Sequence, residues 1–189
     1  PYSTMYDPNS LHLLPGYTDQ PLPFDSNFGS SPIHPDKIDE KDIRAMMASY
    51  YGMISEIDNG IGTILQKLKA KGLYDNTMIV FTSDHGDYMS YHHMMLKGRH
   101  LYDPLIKIPL IVKYPGQTDS FLSENIDVAP TVLELCGQPI PPTMQGRSLL
   151  GNDHRQFAFS ELQFGSQTNP KIDYMLRSDS YKLLVYGSM

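Results

Sequence analysis

Residues that could do chemistry concentrate in one short window of the chain. Four of the seven histidines fall within 16 residues, together with carboxylates and two fixed cations. The residues of interest are Asp84, His85, His92, His93, Lys97, Arg99 and His100. A carboxylate beside an imidazole offers two ligands to a divalent cation. Lysine, arginine and histidine can surround a tetrahedral oxyanion, and histidine can protonate a leaving oxygen near neutral pH.

A plainer interpretation also accounts for parts of this window. Asp84 could cap a turn with a solvated His85 beside it, whereas a metal site would use the sharp turn that Gly86 permits to aim both side chains inward. Arg99 and His100 could equally belong to a basic surface loop. On the residues alone, both interpretations stay open.

The window begins where a buried strand is predicted to end. Residues 77–82 form an unbroken apolar run, and residues 109–114 form a second one. Such runs are typical of strands buried on both faces, as in a parallel sheet covered by helices. Ligands bind at the carboxyl ends of strands in open parallel sheets. The 26 residues between the runs are therefore expected to be a functional loop.

A long amphipathic helix is predicted before the first strand. Its apolar residues follow each other in steps of three and four: Ile43, Met46, Tyr50, Ile54, Ile57, Ile61, Ile64 and Leu68. Asp39 is the expected N-cap, with Asp42 three residues on, and Gly72 can close the helix in the left-handed conformation. We expect the helix, over about 41–71, to lie against the face of the sheet.

The remaining elements are shorter. Residues 127–135 read as a helix that ends at Gly137, and residues 174–177 and 181–186 read as a hairpin within a larger antiparallel sheet. Seven of the 15 prolines lie in the first 35 residues, which predicts a loop-rich opening segment over 1–38. Cys136 is interpreted as a small buried apolar residue rather than a nucleophile.

Composition excludes several classes of protein. The 189 residues carry a net charge of −6 and 40% are apolar, which permits a sizeable core. The acidic balance argues against nucleic-acid binding, and no run of 18 apolar residues could span a membrane. A single cysteine excludes an internal disulfide. Neither localisation nor oligomeric state can be predicted from this sequence.

At this window the sequence resembles the sulfatase family of the alkaline-phosphatase superfamily. The matching segments are Thr82-Ser83-Asp84-His85-Gly86-Asp87, His92 with Lys97 five residues later, Leu101-Tyr102-Asp103 and Ile108-Pro109-Leu110-Ile111-Val112. Sulfatases carry a strand that ends in Ser-Asp-(His or Asn)-Gly, a His-x4-Lys loop and a strand that begins with Val/Ile-Pro. The likeness runs from about residue 48 to 150, and the tail 157–186 resembles the start of the family's C-terminal subdomain.

This resemblance implies an α/β fold, namely part of an alkaline-phosphatase-like α/β/α sandwich followed by the start of a small antiparallel subdomain. Residues 1–150 would belong to the catalytic domain and residues 155–189 to the subdomain. Asp84 and His85 would be metal ligands, for Ca²⁺, Mg²⁺ or Mn²⁺. Lys97 would contact the sulfate and the leaving oxygen, with His92 as a supporting catalytic residue. His93, Arg99 and His100 are further candidates for substrate binding.

Two features of the family are missing from these 189 residues, namely the nucleophile motif and the acidic metal ligands that sulfatases take from an early strand. Sulfatases use a Cys or Ser within Cys/Ser-x-Pro/Ala-x-Arg, oxidised to formylglycine, as the nucleophile, whereas Cys136 is followed by Gly-Gln-Pro-Ile. Pro1-Tyr2 resembles the end of a mid-chain segment of the family. The expectation is therefore a fragment, inactive alone, whose parent receives its formylglycine from an upstream segment.

The resemblance implies a metal-dependent sulfuric ester hydrolase that acts on a small-molecule or carbohydrate sulfate ester. Two alternatives stay open. One is a phosphonate or phosphate ester hydrolase of the same superfamily. The other is an inactive structural or metal-binding module.

Overall fold

The computed structural model describes residues 1–17, 38–114, 120–151, 154–166 and 168–187. These residues belong to two compact units, Pro1–Gly116 and Gln117–Met189. The first unit contains two short 3-10 turns, Tyr2–Thr4 and Pro8–Ser10, then α1 (Glu40–Ala70), β1 (Ile79–Thr82), α2 (Asp103–Ile106) and β2 (Leu110–Lys113). The second contains a 3-10 turn, Asn125–Asp127, then α3 (Val128–Leu135), β3 (Ala158–Ser166), β4 (Asn169–Arg177) and β5 (Lys182–Val185). Most of the predicted opening loop, residues 18–37, lies outside the described residues.

Helix α1 begins and ends as its sequence predicts. The Asp42 N–H donates to Asp39 Oδ1 at 2.9 Å, and the Asp39 N–H donates back to Asp42 Oδ2 at 3.5 Å. This reciprocal capping box satisfies backbone donors that the first turn leaves free. Lys67 and Lys69 occupy the last turn, where the helix dipole favours cations. Gly72 follows with φ +66°, so the predicted N-cap and C-terminal glycine are both confirmed.

The first unit is built around the N-terminal half of α1. Ile43 and Met47 are fully buried and pack with Met89 and Met95, which come from the loop after β1. Leu11 and other apolar residues of the opening segment complete the cluster. The turns and the loop therefore cover α1, in place of the sheet face that we expected. Further along the helix, apolar residues stay about half exposed: Met53, Ile54, Ile57 and Ile64.

Strands β1 and β2 pair in antiparallel register, from Ile79 opposite Lys113 to Thr82 opposite Leu110. The expectation of a parallel pair buried on both faces is therefore wrong. A parallel pair needs a crossover connection, usually a helix. Here the connecting residues form a loop and the four-residue α2 instead. Phe81 and Ile111 remain exposed, so the apolar runs are only partly buried.

In the second unit, β3, β4 and β5 form one antiparallel sheet in that order. The turn between β4 and β5 is closed by Ser178 and Tyr181, whose N–H groups donate to Tyr181 O at 2.8 Å and Ser178 Oγ at 3.1 Å, respectively. The predicted hairpin and its larger sheet are confirmed, as is the short helix α3. Cys136 is exposed, which corrects the expectation of a buried thiol, because it lies at the end of α3 rather than on its packed face.

A buried ion pair ties the segments of the second unit together. The Asp127 carboxylate is 1% exposed and accepts both Nε, at 2.8 Å, and a terminal guanidinium nitrogen of Arg155. It also accepts the N–H groups of Arg147, at 2.7 Å, and Glu124, at 2.9 Å. Burial would raise the pKa of Asp127, but the Arg155 hydrogen bonds and the two backbone donors outweigh it and hold that pKa below its usual range.

In the part of the chain that the structure describes, no helix is long and apolar enough to cross a membrane.

Candidate active site

The candidate site starts at the end of β1, where the backbone itself orients the Asp84–His85 pair. The His85 N–H donates to Asp84 Oδ1 at 2.9 Å, and Ser83 Oγ donates to the His85 carbonyl at 2.7 Å. The Asp84 side chain is 85% exposed and therefore open to a ligand. The His85 N–H lowers the pKa of Asp84, and the nearby His85 ring and Lys97 lower it further, so Asp84 is ionised near neutral pH.

The hydrogen bonds of the His85 ring determine which of its nitrogens carries the proton. Nδ1 lies 2.8 Å from the Gly86 carbonyl oxygen, which can only accept, so Nδ1 is the donor. In the neutral ring, Nε2 then carries the lone pair, and the Lys97 ammonium donates to it at 3.0 Å. Asp84 Oδ2 lies 3.5 Å from the same nitrogen. A carboxylate, an imidazole lone pair and an ammonium therefore converge on one locus.

Gly86 is required here because α2 approaches it very closely. The Gly86 N–H donates to Leu105 O at 2.7 Å, and a Cβ at residue 86 would lie 1.9 Å from Pro104 O. The glycine thus permits close packing of two backbone segments, beyond the turn for which the sequence marked it. The same packing holds the carbonyl that orients His85.

The loop from residue 88 to 96 connects this pair to Lys97 and is unusually strained. Five of its residues have positive φ without being glycine: Met89, Ser90, His92, His93 and Leu96, at 42°, 74°, 49°, 61° and 61°. Each such residue costs of order 1 kcal/mol or more, and clusters of them are typical of functional sites. Hydrogen bonds from Tyr88 N–H to Leu96 O at 2.9 Å and from His92 N–H to Gly16 O at 2.9 Å help to offset that cost.

His92 and His100 belong to an aromatic stack beside this site. The His92 ring lies 4.1 Å from the Tyr91 ring and 4.9 Å from Tyr102, between centroids. The His100 side chain is 1% exposed and stacks on Tyr102 at 5.0 Å between ring centroids. The backbone N–H of His100 donates to the Tyr88 hydroxyl at 3.0 Å. The tyrosines are the part of this region that sequence reasoning missed, although their position among the histidines was a usable signal.

The other two candidate residues also lie inside the first unit. His93 is 5% exposed, with its ring 6.2 Å from that of Tyr17. Arg99 is half-buried, and its Nε is shielded from solvent. His100 and His93 are buried and therefore do not belong to a solvated basic loop, whereas Arg99 is only partly shielded. The structure brings Asp84, His85 and Lys97 together. It places His92 and His100 among Tyr91 and Tyr102, and His93 near Tyr17.

These donors fit part of a divalent-cation site. Asp84 and the His85 lone pair are ligand types that such cations accept. Among the described residues, no group of three or more His, Cys, Asp or Glu side chains could hold a metal ion. Since Mg²⁺ and Ca²⁺ take six or more oxygen-type ligands, further ligands would be needed beside these two.

Comparison with known proteins places this chain in a known protein family. The chain matches the sulfatase family over residues 7–138, and the family described as N-sulphoglucosamine sulphohydrolase, C-terminal, over residues 91–188. The α/β fold is that of the alkaline-phosphatase superfamily. Within that class, this chain belongs to the sulfatase family, whose members generally use a divalent metal and formylglycine.

Individual relatives show the same affiliation. The chain is 41% identical over 119 residues to the multifunctional alkaline phosphatase superfamily protein PehA of Trinickia caryophylli. The matched segment covers 60% of this chain and 23% of that protein. It is 32% identical to arylsulfatase K of Bos taurus, covering 80% of this chain and 31% of that protein. It is 34% identical to an N-acetylglucosamine-6-O-sulfatase of Bacteroides thetaiotaomicron, covering 73% of this chain and 27% of that protein.

A solved structure extends the likeness over the whole chain. The phosphonate monoester hydrolase SpPMH from Silicibacter pomeroyi superposes with a TM-score of 0.84 at 31% identity, covering 100% of this chain and 44% of that one. The chain thus spans between about a quarter and under a half of the length of these proteins.

Proposed function

We propose that the protein containing this chain hydrolyses sulfate esters, with Lys97, Asp84 and His85 at its reaction centre. The observation that carries the proposal is the 3.0 Å contact between the Lys97 ammonium and His85 Nε2, beside the exposed Asp84 carboxylate. This contact places a positively charged ammonium beside two side chains of the types that bind metal ions, in a chain of the sulfatase family.

Each of these side chains has a distinct proposed role. Lys97 donates to the sulfate and to the leaving oxygen, where negative charge builds up as the ester bond breaks. Asp84 and His85 hold a divalent cation, either Ca²⁺, Mg²⁺ or Mn²⁺, which supplies Lewis-acid stabilisation when bound. His92 supports the site through the stack of Tyr91 and Tyr102. Arg99, His93 and His100 are proposed to contribute to substrate binding.

The nucleophile is proposed to be a formylglycine, which none of these 189 residues supplies in its motif. We further infer that residues 1–150 belong to the catalytic domain and residues 155–189 to the antiparallel subdomain. The proposed substrate class is a small-molecule or carbohydrate sulfate ester. The name of the N-acetylglucosamine-6-O-sulfatase relative supports the carbohydrate.

The test is steady-state kinetics of the full-length protein on an aryl sulfate. Lys97→Ala removes one donor to the developing charge and should lower kcat by about 10²- to 10³-fold. Lys41→Ala is the matched control, because Lys41 is exposed in the first turn of α1. Melting temperatures of both variants show that folding is retained. Wild-type turnover in Lys97→Ala would show that the charge lies elsewhere.

A second candidate function is hydrolysis of phosphonate or phosphate esters. It is favoured by the name of PehA, a multifunctional protein of the superfamily, and by the likeness to SpPMH. Both ester classes present a tetrahedral oxyanion to Lys97, so this site by itself serves either. Parallel assays on an aryl sulfate and an aryl phosphonate monoester separate the two, and a higher kcat/KM on the phosphonate would favour the second candidate.

A further inference from the structure

Asp87 lies at the point where the strained loop leaves the Asp84–His85 pair. It is half-buried and follows Gly86 directly. Its Oδ1 accepts the N–H of Met89 at 2.8 Å, and the backbone N–H of Leu96 bonds to the same carboxylate. One side chain therefore contacts both ends of the loop.

The two donors are themselves strained. Met89 and Leu96 have φ values of +42° and +61°, so their backbones adopt a conformation that non-glycine residues avoid. Hydrogen bonds from these residues to an ionised acceptor are stronger than bonds to a neutral one. The carboxylate thus stabilises the left-handed conformation where it begins and where it ends.

The position of Lys97 depends on this arrangement, since Lys97 directly follows Leu96. The backbone direction at Leu96 determines where the lysine side chain starts, and the Tyr88 N–H to Leu96 O bond, at 2.9 Å, holds the same point from the other side. Tyr88 in turn follows Asp87 in the chain. We propose that Asp87 is a positioning residue, whose carboxylate closes the 88–96 loop and thereby holds the Lys97 ammonium beside the Asp84–His85 pair.

This inference rests on the proposed function of Lys97 for its kinetic consequence, but its geometric consequence can be measured independently. Asp87→Asn preserves the size of the side chain, removes its charge and replaces one acceptor oxygen by a donor amide. We expect kcat on an aryl sulfate to fall about 10- to 100-fold, the scale of losing a supporting hydrogen bond or displacing a group by about 1 Å. KM should change little, because the side chain positions Lys97 without contacting substrate.

Asp58→Asn is the matched control, because Asp58 is exposed on α1 and makes the same chemical change away from the loop. Each variant is assayed below its own unfolding midpoint, taken from circular dichroism, so that lost folding is not mistaken for lost positioning. Long-range ¹H–¹⁵N spectra of the imidazoles report the second readout. In the metal-free protein, the His85 Nε2 resonance of Asp87→Asn should move toward that of a free lone pair, while Asp58→Asn leaves it unchanged.

The outcomes separate this inference from the proposed function. A fall in kcat with a shifted His85 resonance in Asp87→Asn supports positioning. Wild-type kcat in Asp87→Asn, while Lys97→Ala is impaired, overturns positioning and leaves the proposed function intact. If Lys97→Ala itself turns over normally, the proposed function fails, and the resonance decides alone: an unmoved signal overturns the inference, and a moved one supports it.

Discussion

Replacing Gly86 with alanine tests whether close packing beneath the site holds His85 in place. The added Cβ would lie 1.9 Å from Pro104 O and 3.1 Å from Pro104 C, both backbone atoms. Since Cβ contacts below 3.0 Å essentially never occur, the two segments must separate by at least 1.1 Å. No side-chain rotation can relieve such a clash, so the displacement passes to the turn itself.

The magnitude follows from two contributions. Overpacking of a well-packed contact costs about 1–3 kcal/mol, and losing the Gly86 N–H to Leu105 O bond adds about 1 kcal/mol. We therefore expect the free energy of unfolding of the first unit to fall by about 2–4 kcal/mol. A displacement near 1 Å at the residue whose carbonyl orients His85 should also lower kcat on an aryl sulfate about 10²-fold.

Gly60→Ala is the matched control on α1. None of the described atoms lies within 4 Å of a Cβ built there, so the substitution meets no steric conflict. Alanine is a better helix former than glycine by about 0.8–1 kcal/mol, and the control should be slightly more stable than wild type. Urea unfolding followed at 222 nm reports mainly on the 31-residue α1, and steady-state kinetics supply the second measurement. Unchanged stability and kcat in Gly86→Ala would refute the argument from close packing.

Three further predictions concern strain and buried charge. Ser90→Gly should raise the free energy of unfolding by about 1 kcal/mol in urea titrations, since Ser90 has φ +74° and, within the described residues, its buried Oγ has no hydrogen-bond partner. Arg155→Met should lower the free energy of unfolding of the second unit by about 3 kcal/mol, because it leaves the Asp127 carboxylate buried without its cation. Arg147→Met keeps the backbone N–H that donates to Asp127 and should change little in the same titrations. The folded-state pKa of Asp127 is depressed, so its stabilising contribution is complete above about pH 4 and disappears as the pH falls through that depressed pKa; the gap between wild type and Arg155→Met should therefore shrink in titrations repeated toward pH 3.

The sequence predicted the elements whose causes are local. The ends of α1 depend on Asp39, Asp42 and Gly72, all of which act within a turn of the residues that they cap. The β4–β5 hairpin likewise depends on Ser178 and its immediate neighbours. Helix ends and tight turns of this kind can be predicted because the interacting residues are close along the chain.

The antiparallel direction of the β1–β2 pairing could not be predicted from the sequence. An apolar run indicates a buried strand equally well in either orientation, and the choice depends on whether the connection forms a crossover helix. The left-handed residues of the loop were also missed, because serine, methionine and leucine give no local sign of positive φ. These residues are held by contacts that only the folded chain makes, such as Met89 N–H to Asp87 Oδ1 and His92 N–H to Gly16 O.

The sequence indicated which residues form the candidate site, but not how their side chains are arranged. Asp84, His85 and Lys97 were selected by residue type and by the family resemblance. Their convergence depends on the Gly86 carbonyl and on the loop, neither of which spacing alone reveals. His92 and His100 were expected to act as charged groups, and the aromatic stack that surrounds them follows from the fold of Tyr91 and Tyr102 around the loop.

The contact between the opening segment and the loop has a consequence for the order in which the protein folds. Gly16 accepts the His92 N–H, and Tyr17 forms an isolated bridge with Tyr91. Bringing residues 16 and 92 together costs about 4 kcal/mol of chain entropy. Packing of the opening segment and the loop against α1 helps to offset this cost. We therefore expect the loop that carries Lys97 to assemble late. A partly unfolded protein that has released residues 11–17 would lose activity while α1 is still intact, so function should fail before secondary structure does.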